Sequence, residues 1–469
     1  MLNRVHVVFF RCFPIERIVV GVANTRLTLS YTKILSELDP LVSDRSAETI
    51  AKAFGALVQR GTLTHGDKLP PIRSVASHLG VSTTTISEAW SVMAAHGMIE
   101  TDRRRGTTVR AQLAQGRSRY WQVPVEPGTL PVDLSTGTPD PSLLPNIGNV
   151  LARISADLAV VSYVDTPVLD ELDVELRSLW PYTPPALTVV DGALDGFERT
   201  MRALISLGDA VVVEDPTYPP LLDTLESLGA SVIGVPVDRD GISSAALTNV
   251  MDRAPRAIVI QTGPHNPTGA QISQARLAEL ATVIDGTSTL VIEDAQGWDP
   301  GRKFQSVGRQ HPNQTVRIQS FSKTHGPDLR IAALAGPTEL VSTIVDRRQL
   351  GPGWTSRLTQ RLLAEMLADA TVEASVRHAV SVYGERRSSL FEALVQRGLP
   401  VVESTGLNLW VPVRDEQRAA VALAAVGIGV APGHPFQVDQ SDPHIRLTIS
   451  ALDTGIEQIA DAIADAARR

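Results

Sequence analysis

A chain of 469 residues with 43% apolar and 20% charged content is ordinary globular protein, too long for one average domain and able to bury a large core. Its single cysteine, Cys12, excludes an intrachain disulfide, and no repeat or low-complexity tract interrupts it. The net charge of −8 is uneven: residues 45–120 hold eleven Lys/Arg against five Asp/Glu, or +6, residues 1–44 add +1, and the remainder carries −15. A small basic module on an acidic body points to nucleic acid as the partner of the small part only.

Residues 1–43 read as a poorly ordered extension. The apolar runs VHVVFF and IVVGVA are separated by Arg11, Pro14, Glu16 and Arg17, so neither spans a bilayer and no membrane partner is expected. From 44 to 111 the pattern is a winged helix-turn-helix. AETIAKAFGALVQRG places Ile50, Phe54, Leu57 and Val58 on one helical face, with Gly61 to end it. IRSVASHLG closes on Gly80, and VSTTTISEAWSVMAAHG follows a tight turn with Ser82 as its N-cap. MIETDRRRGTTVR then gives two short strands around a basic tip. Double-stranded DNA would meet Ser82, Thr83, Thr84 and Thr85 in the major groove. Arg103, Arg104, Arg105 and Gly106 would meet it at the wing, and Arg73 at a phosphate.

The stretches GDKLP, IRSVASHLGVS and RRGTTV resemble the GntR family of DNA-binding domains. Members commonly carry arginine where this chain has Thr83 and Ser87, so sequence reading here is expected to lean on threonines and the three-arginine wing. Residues 112–132 are polar, then proline-rich and without periodicity, and read as a linker.

Residues 133–469 alternate helical stretches such as SQARLAELATVI with apolar strands: DAVVVED, ASVIGVPV, RAIVIQT, STLVIED, TVRIQS and IAALAG. That is an α/β domain with a largely parallel sheet, and ligands collect beyond the carboxyl ends of such strands. The polar residues there suit pyridoxal 5′-phosphate (PLP). Lys323 supplies the amine for a Schiff base, and Asp294 the carboxylate that keeps the ring nitrogen protonated. Asn266 donates to the phenolic oxygen, and Tyr218 stacks on the ring. Ser320, Ser322 and Arg330 hold the phosphate with the N–H groups of Gly192, Ala193 and Leu194 at a helix start. Arg446, in IRLTIS, is placed to hold a carboxylate. Taken singly, each has a structural explanation: a surface lysine, a turn aspartate, an ion-paired arginine. Their order carries the reading, with NPTG twenty-eight residues before Asp294, then S-x-S-K and an arginine seven beyond.

This constellation resembles the fold-type I, aspartate-aminotransferase-like PLP enzymes. Joined to a GntR-like head, it resembles the MocR family of transcriptional regulators. The resemblance implies a head-to-tail homodimer, with Tyr163 reaching the partner's phosphate site. Two departures stand out: EDAQGW puts Gln296 where relatives have a tyrosine donor to the cofactor oxygen, and DGAL lacks the usual hydroxyl at the phosphate turn. The expected function is a cytoplasmic regulator that senses an amino compound, or PLP itself, through an aldimine at Lys323. The alternative is a class I/II aminotransferase with an accessory head.

Overall fold

A computed structural model of the chain describes residues 31–42, 44–59, 62–63, 66–95, 98–102, 106–109, 119, 129–154, 162, 166–296, 305–439 and 442–469. The head comprises α1 (Tyr31–Leu38), α2 (Ala47–Gln59), α3 (Ile72–Leu79), α4 (Thr83–Ala95) and the antiparallel strands β1 (Ile99–Asp102) and β2 (Gly106–Val109). Ile50, Phe54 and Leu57 of α2 are fully buried. Phe54 meets Trp90 of α4 edge-on, with ring centroids 4.9 Å apart. Burying one such ring contributes about 2–3 kcal/mol, a large share of a small module's stability. Gly80 ends α3 at φ 65°, the left-handed value that lets the chain turn at once into α4.

The Thr85 N–H donates to Ser82 Oγ at 3.0 Å, so the predicted cap is formed. Ser82→Ala is expected to cost the head about 1 kcal/mol, read as a lower melting temperature by calorimetry.

The segment expected as a loose extension is partly structural. In YTKILSEL the residues Ile34 and Leu38 lie four apart on one helical face, and both are fully buried in the head's core. Residues 1–30, Cys12 among them, and residue 43 lie outside the described residues.

The body opens with β3 (Val132–Asp133), α5 (Ile147–Ile154) and α6 (Asp170–Leu179). Its strands β4 (Ala186–Val190), β5 (Ala210–Asp215), β6 (Ser231–Asp238), β7 (Gly241–Ile242), β8 (Ala257–Gln261), β9 (Leu290–Ala295), β10 (Thr315–Ser320) and β11 (Ala332–Gly336) form one sheet. Their spatial order is β4-β11-β10-β9-β8-β5-β6-β7. Pairings from β10 through β9, β8 and β5 to β6 are parallel, while β11 runs against both its neighbours and β7 against β6. Helices α7 (Ala193–Leu204), α8 (Pro219–Ser227), α9 (Ser244–Val250) and α10 (Gln274–Ile284) connect the strands. Val211 and Val213 face the layer of α7 and α8, and Val212 faces α9 and α10. Burial on both faces explains why these strands read as unbroken apolar runs.

Two charges interrupt that interior. Glu293 of β9 and Arg317 of β10 stand opposite each other and pair at 2.9 Å, with side chains 0% and 3% exposed. Val307 N–H and Ser306 Oγ also donate to Glu293, so the carboxylate is fully hydrogen-bonded, as a buried ion must be.

Beyond α11 (Thr338–Gln349) and α12 (Arg357–Ala368), the long α13 (Ala370–Gln396) leads to a smaller lobe. It contains β12 (Asn408–Pro412), α14 (Glu416–Ala425), β13 (Ile428–Gly429), β14 (Ala431–Pro432), β15 (His444–Thr448) and α15 (Ile456–Ala467). β12, β15 and β14 form an antiparallel sheet, and β13 pairs with β3. Within the linker, Arg119 is described: its backbone N–H and guanidinium bond Asp223 at 3.0 and 2.7 Å, and the guanidinium also pairs with Glu226, both on α8.

Candidate cofactor site and DNA-facing helix

Strands β5, β8, β9 and β10 are parallel neighbours, so their carboxyl ends share one edge of the sheet. Asp294, near the end of β9, is 5% exposed and stands between Gln261 of β8 and Ile318 of β10. Lys323 follows β10 by three residues and opens on a cavity of about 600 Å³ walled by Gln296, Asn408 and the α13 residues Val376 and Tyr383. Burial pushes the Asp294 carboxyl up to about 6, against the pull of Gln296, Lys323 and His265. Burial also pushes the Lys323 ammonium down to about 8, with Arg446 adding to the shift and Asp294 opposing it. At pH 8 about half of such amines are neutral, against well under 1% of ordinary lysines, so Lys323 is poised as a nucleophile.

Asn266, just beyond β8, is buried and held from several sides. Its N–H donates to Gln261 Oε1 at 2.9 Å, and its carbonyl accepts from Gln261 Nε2 at 3.0 Å. Its side-chain oxygen accepts from Arg446 Nη1 at 3.3 Å and from Asn408 Nδ2 at 3.4 Å. What this amide offers a ligand is therefore its N–H pair, the polarity that a phenolate oxygen requires. Arg446, on β15, also donates to the Ser135 carbonyl and lies 5.0 Å over the Phe436 ring.

The phosphate end is built by α7. Gly192 precedes the helix at φ 105°, and a Cβ there would come within 3.0 Å of Arg330 Nη2. Arg330 itself donates to the Asp191 carbonyl at 3.1 Å. A guanidinium is thus seated on the amino end of α7, beside the N–H groups of Ala193 and Leu194, where helix dipole and cation both favour a dianion. Ser320 ends β10 and is 6% exposed, and its Oγ accepts from Ser322 N–H at 3.4 Å. Gly192→Ala is expected to weaken PLP binding about tenfold, through strain at positive φ and displacement of Arg330; a titration followed by absorbance would measure it. Tyr218 immediately precedes α8, half-buried, with its ring packed on the core between sheet and helices.

Gln296 is turned toward Asp294. Its Nε2 donates to Asp294 Oδ2 at 2.7 Å, because a residue two positions after Asp294 in extended chain returns to the same face. The glutamine thus orients the carboxylate, and it also lines the cavity on which Lys323 opens. Tyr163 lies outside the described residues.

In the head, Arg73, Ser82, Thr83 and Thr84 are exposed and Thr85 is half-buried. The Thr85 and Ser82 hydroxyls lie 2.9 Å apart, so Thr85 belongs to the cap more than to the outer face. Gly106 is exposed at φ 84° where β2 begins, while Arg103, Arg104 and Arg105 lie outside the described residues.

The family model described as aminotransferase class I and II matches residues 130–463, and that of the gntR family of bacterial regulatory proteins matches residues 46–109. The vitamin B6 salvage pathway transcriptional repressor PtsJ of Salmonella typhimurium is 31% identical over 92% of this chain and 100% of its own length. The chain belongs to the MocR-type regulators of the GntR family. Another MocR-type relative, the pyridoxine biosynthesis regulator PdxR of Corynebacterium glutamicum, is 27% identical over 72% of this chain and 76% of its own. Among solved structures, the Pyrococcus horikoshii kynurenine aminotransferase aligns with 72% of this chain and 89% of its own at TM-score 0.65 and 19% identity, which establishes the fold. An archaeal alanine:glyoxylate aminotransferase aligns at TM-score 0.66 and 22% identity over 75% and 96%. The cofactor of this MocR-type body is PLP, and the donors described above fit it.

Two buried residues beside the site escaped the sequence reading. His265 Nε2 lies 3.4 Å from Glu214 Oε2, the pair being 2% and 1% exposed, and both act electrostatically on Asp294. The signal for Glu214 was present: a glutamate inside the apolar run AVVVED must be paired or functional. His265 stood next to Asn266 in PHNPTG, where nothing in the spacing separates a turn residue from a site residue.

Proposed function

We propose that this MocR-type regulator holds PLP covalently at Lys323 and converts its occupancy, or its reaction with an amino compound, into altered operator affinity. The observation that carries the reading is the pair Lys323 and Asp294, an amine tuned toward neutrality beside a carboxylate, in a chain whose other module is a GntR head. Bound there, PLP supplies an aldehyde that combines with primary amines and a ring that withdraws electrons. Asp294, oriented by Gln296, holds the ring-nitrogen proton. Asn266 donates at the phenolic oxygen, and Gly192, Ala193, Leu194, Ser320, Ser322 and Arg330 bind the phosphate. Tyr218 covers the ring.

The names of PtsJ and PdxR place both in vitamin B6 metabolism, which supports PLP itself as the effector. The buried Arg446 favours a second reading, an amino compound with a carboxylate, and with it residual amino transfer. In either case the chains pair head to tail in the cytoplasm, with Tyr163 reaching across to the partner's cradle. A hundredfold change in operator affinity needs about 2.7 kcal/mol of coupling.

The test is a titration of operator DNA against the full chain with and without PLP, at several salt concentrations. The expected result is a change of at least tenfold, with a steep loss of affinity as salt rises. Equal affinity with and without PLP and amino acids ends the sensing reading. Incubation with amino acids and a 2-oxo acid acceptor that yields a new 2-oxo acid and a new amino acid, each beyond one equivalent of protein, would establish the enzymatic one.

A further inference from the structure

The phosphate cradle carries negative charge of its own. Asp191 and Asp195 flank Gly192, Ala193 and Leu194, the residues that the cofactor reading gives to the phosphate, and Asp195 belongs to the first turn of α7. Asp195 Oδ2 accepts from the Asp191 N–H at 3.1 Å, so this carboxylate is folded back over the helix start. The same turn, DGAL, contributes no hydroxyl, and Leu194 there is 38% exposed.

The cations that answer these carboxylates stand farther back. Arg199, one turn along α7, donates from Nε to both Asp195 oxygens at 2.9 Å. Arg348, its side chain 2% exposed, reaches Asp191 Oδ2 at 3.1 Å. It is held inside by the Val189 carbonyl at 2.8 Å and by Thr355 Oγ1 at 3.2 Å. Burial lowers the Arg348 value, Asp191 and Asp195 oppose that, and Arg199 adds to it, so the four charges act as one group. The group is neutral as a whole but polarised. Its negative ends lie at the start of α7, and its positive ends lie a turn along or in the interior. Arg330, bonded to the Asp191 carbonyl, is the cation left for the phosphate.

Acidic side chains in a first turn favour the helix itself. At an anion site they also repel the ligand. A phosphate ester with close to two negative charges meets one unanswered guanidinium and a helix dipole that two carboxylates already complement. We propose that Asp191 and Asp195 are affinity-setting residues: they hold the cradle's grip on phosphate low enough for occupancy to follow the concentration of free PLP. The proposal rests on the cofactor reading above and narrows it. A chain that keeps PLP permanently reports only amino compounds, whereas a cradle weakened by its own carboxylates suits PLP as the effector.

Asp195→Asn in the full-length chain is the test, since asparagine keeps an acceptor for the Asp191 N–H and removes the charge. PLP and pyridoxal, which differ by the phosphate alone, are titrated into both proteins and followed by the visible band of the bound aldehyde. The wild type is expected to bind PLP about tenfold or more tightly than pyridoxal; equal affinities overturn the cradle reading itself. Asp195→Asn is expected to tighten PLP by about fivefold or more and to move pyridoxal by less than about twofold. Pyridoxal thereby reports whether the fold and the amine are intact. Raising salt from about 0.05 M to about 0.5 M is expected to remove half or more of the variant's advantage for PLP, because the Asp195 side chain is 23% exposed and its charge is screened. An unchanged or weaker affinity for PLP, or an equal change for both aldehydes, overturns the affinity-setting role. A gain that salt leaves untouched overturns it as well, since the cause would then be shape rather than charge.

Discussion

Lys323→Ala is expected to abolish the covalent label that borohydride fixes between PLP and the wild-type chain. Mass spectrometry of the peptide containing position 323 should find a pyridoxyl adduct in the wild type and none in the variant. Affinity for PLP should fall by about 100-fold, roughly 2.7 kcal/mol, leaving only the phosphate cradle and ring contacts. The variant should fold. A lysine whose folded value is pushed down to about 8, from an ordinary 10.5, destabilises the protein while it is charged. Between those values the native state binds fewer protons than the unfolded one, so the wild type without PLP gains stability as pH rises from about 8 to 10.5. Below that window the buried ammonium costs at most about 3 kcal/mol, which alanine removes. For the same reason, capture of PLP by the wild-type chain should accelerate through pH 8, and reduction of timed samples would follow it. An adduct persisting on another lysine would move the chemistry elsewhere.

Asp294→Asn has opposite consequences for the empty and the loaded protein. Asp294 is buried, and its value is pushed up from 3.8 to about 6. Between these limits the native state binds more protons than the unfolded chain, so the wild type without PLP loses stability as pH rises from about 4 to 6 and keeps that loss above. The two-unit shift corresponds to about 3 kcal/mol at neutral pH. Asparagine carries no charge and should recover most of it, with a flat pH profile through the same window, measurable by chemical denaturation at several pH values. With PLP present the ranking should reverse. The wild-type carboxylate meets a cationic ring nitrogen, whereas the amide leaves that proton without its counter-charge. A variant less stable than wild type without PLP, with the wild-type slope between pH 4 and 6, would place the titrating group elsewhere.

Much of this molecule was legible because its signals are local. The apolar runs became strands β5, β6, β8, β9, β10 and β11, and Ser82 and Gly80 bound the turn they were expected to bound. The polar residues after each strand gathered at one edge because parallel strands bring their ends together. What stayed hidden depends on distance in sequence. β11 reads like its neighbours yet runs the other way, since strand direction is set by the connection rather than by composition. The bond from Gln296 to Asp294 depends on the pleat of extended chain, which brings an amide back to the carboxylate two residues earlier. α1 was passed over because eight residues with two apolar anchors are too short to stand out without the core they complete.

The buried pair Glu293–Arg317 bears on how Lys323 finds its carboxylate. A slip of β10 by two residues would keep every side chain on its proper face and every apolar contact plausible, so hydrophobicity alone tolerates it. It would also place Thr315 or Gln319 opposite Glu293 and strand two charges in the dry interior, at roughly 3–5 kcal/mol for each broken partnership. The ion pair thus acts as a key in a keyway. It contributes little net stability, yet it forbids the misalignments that would carry the reactive amine several ångströms out of reach.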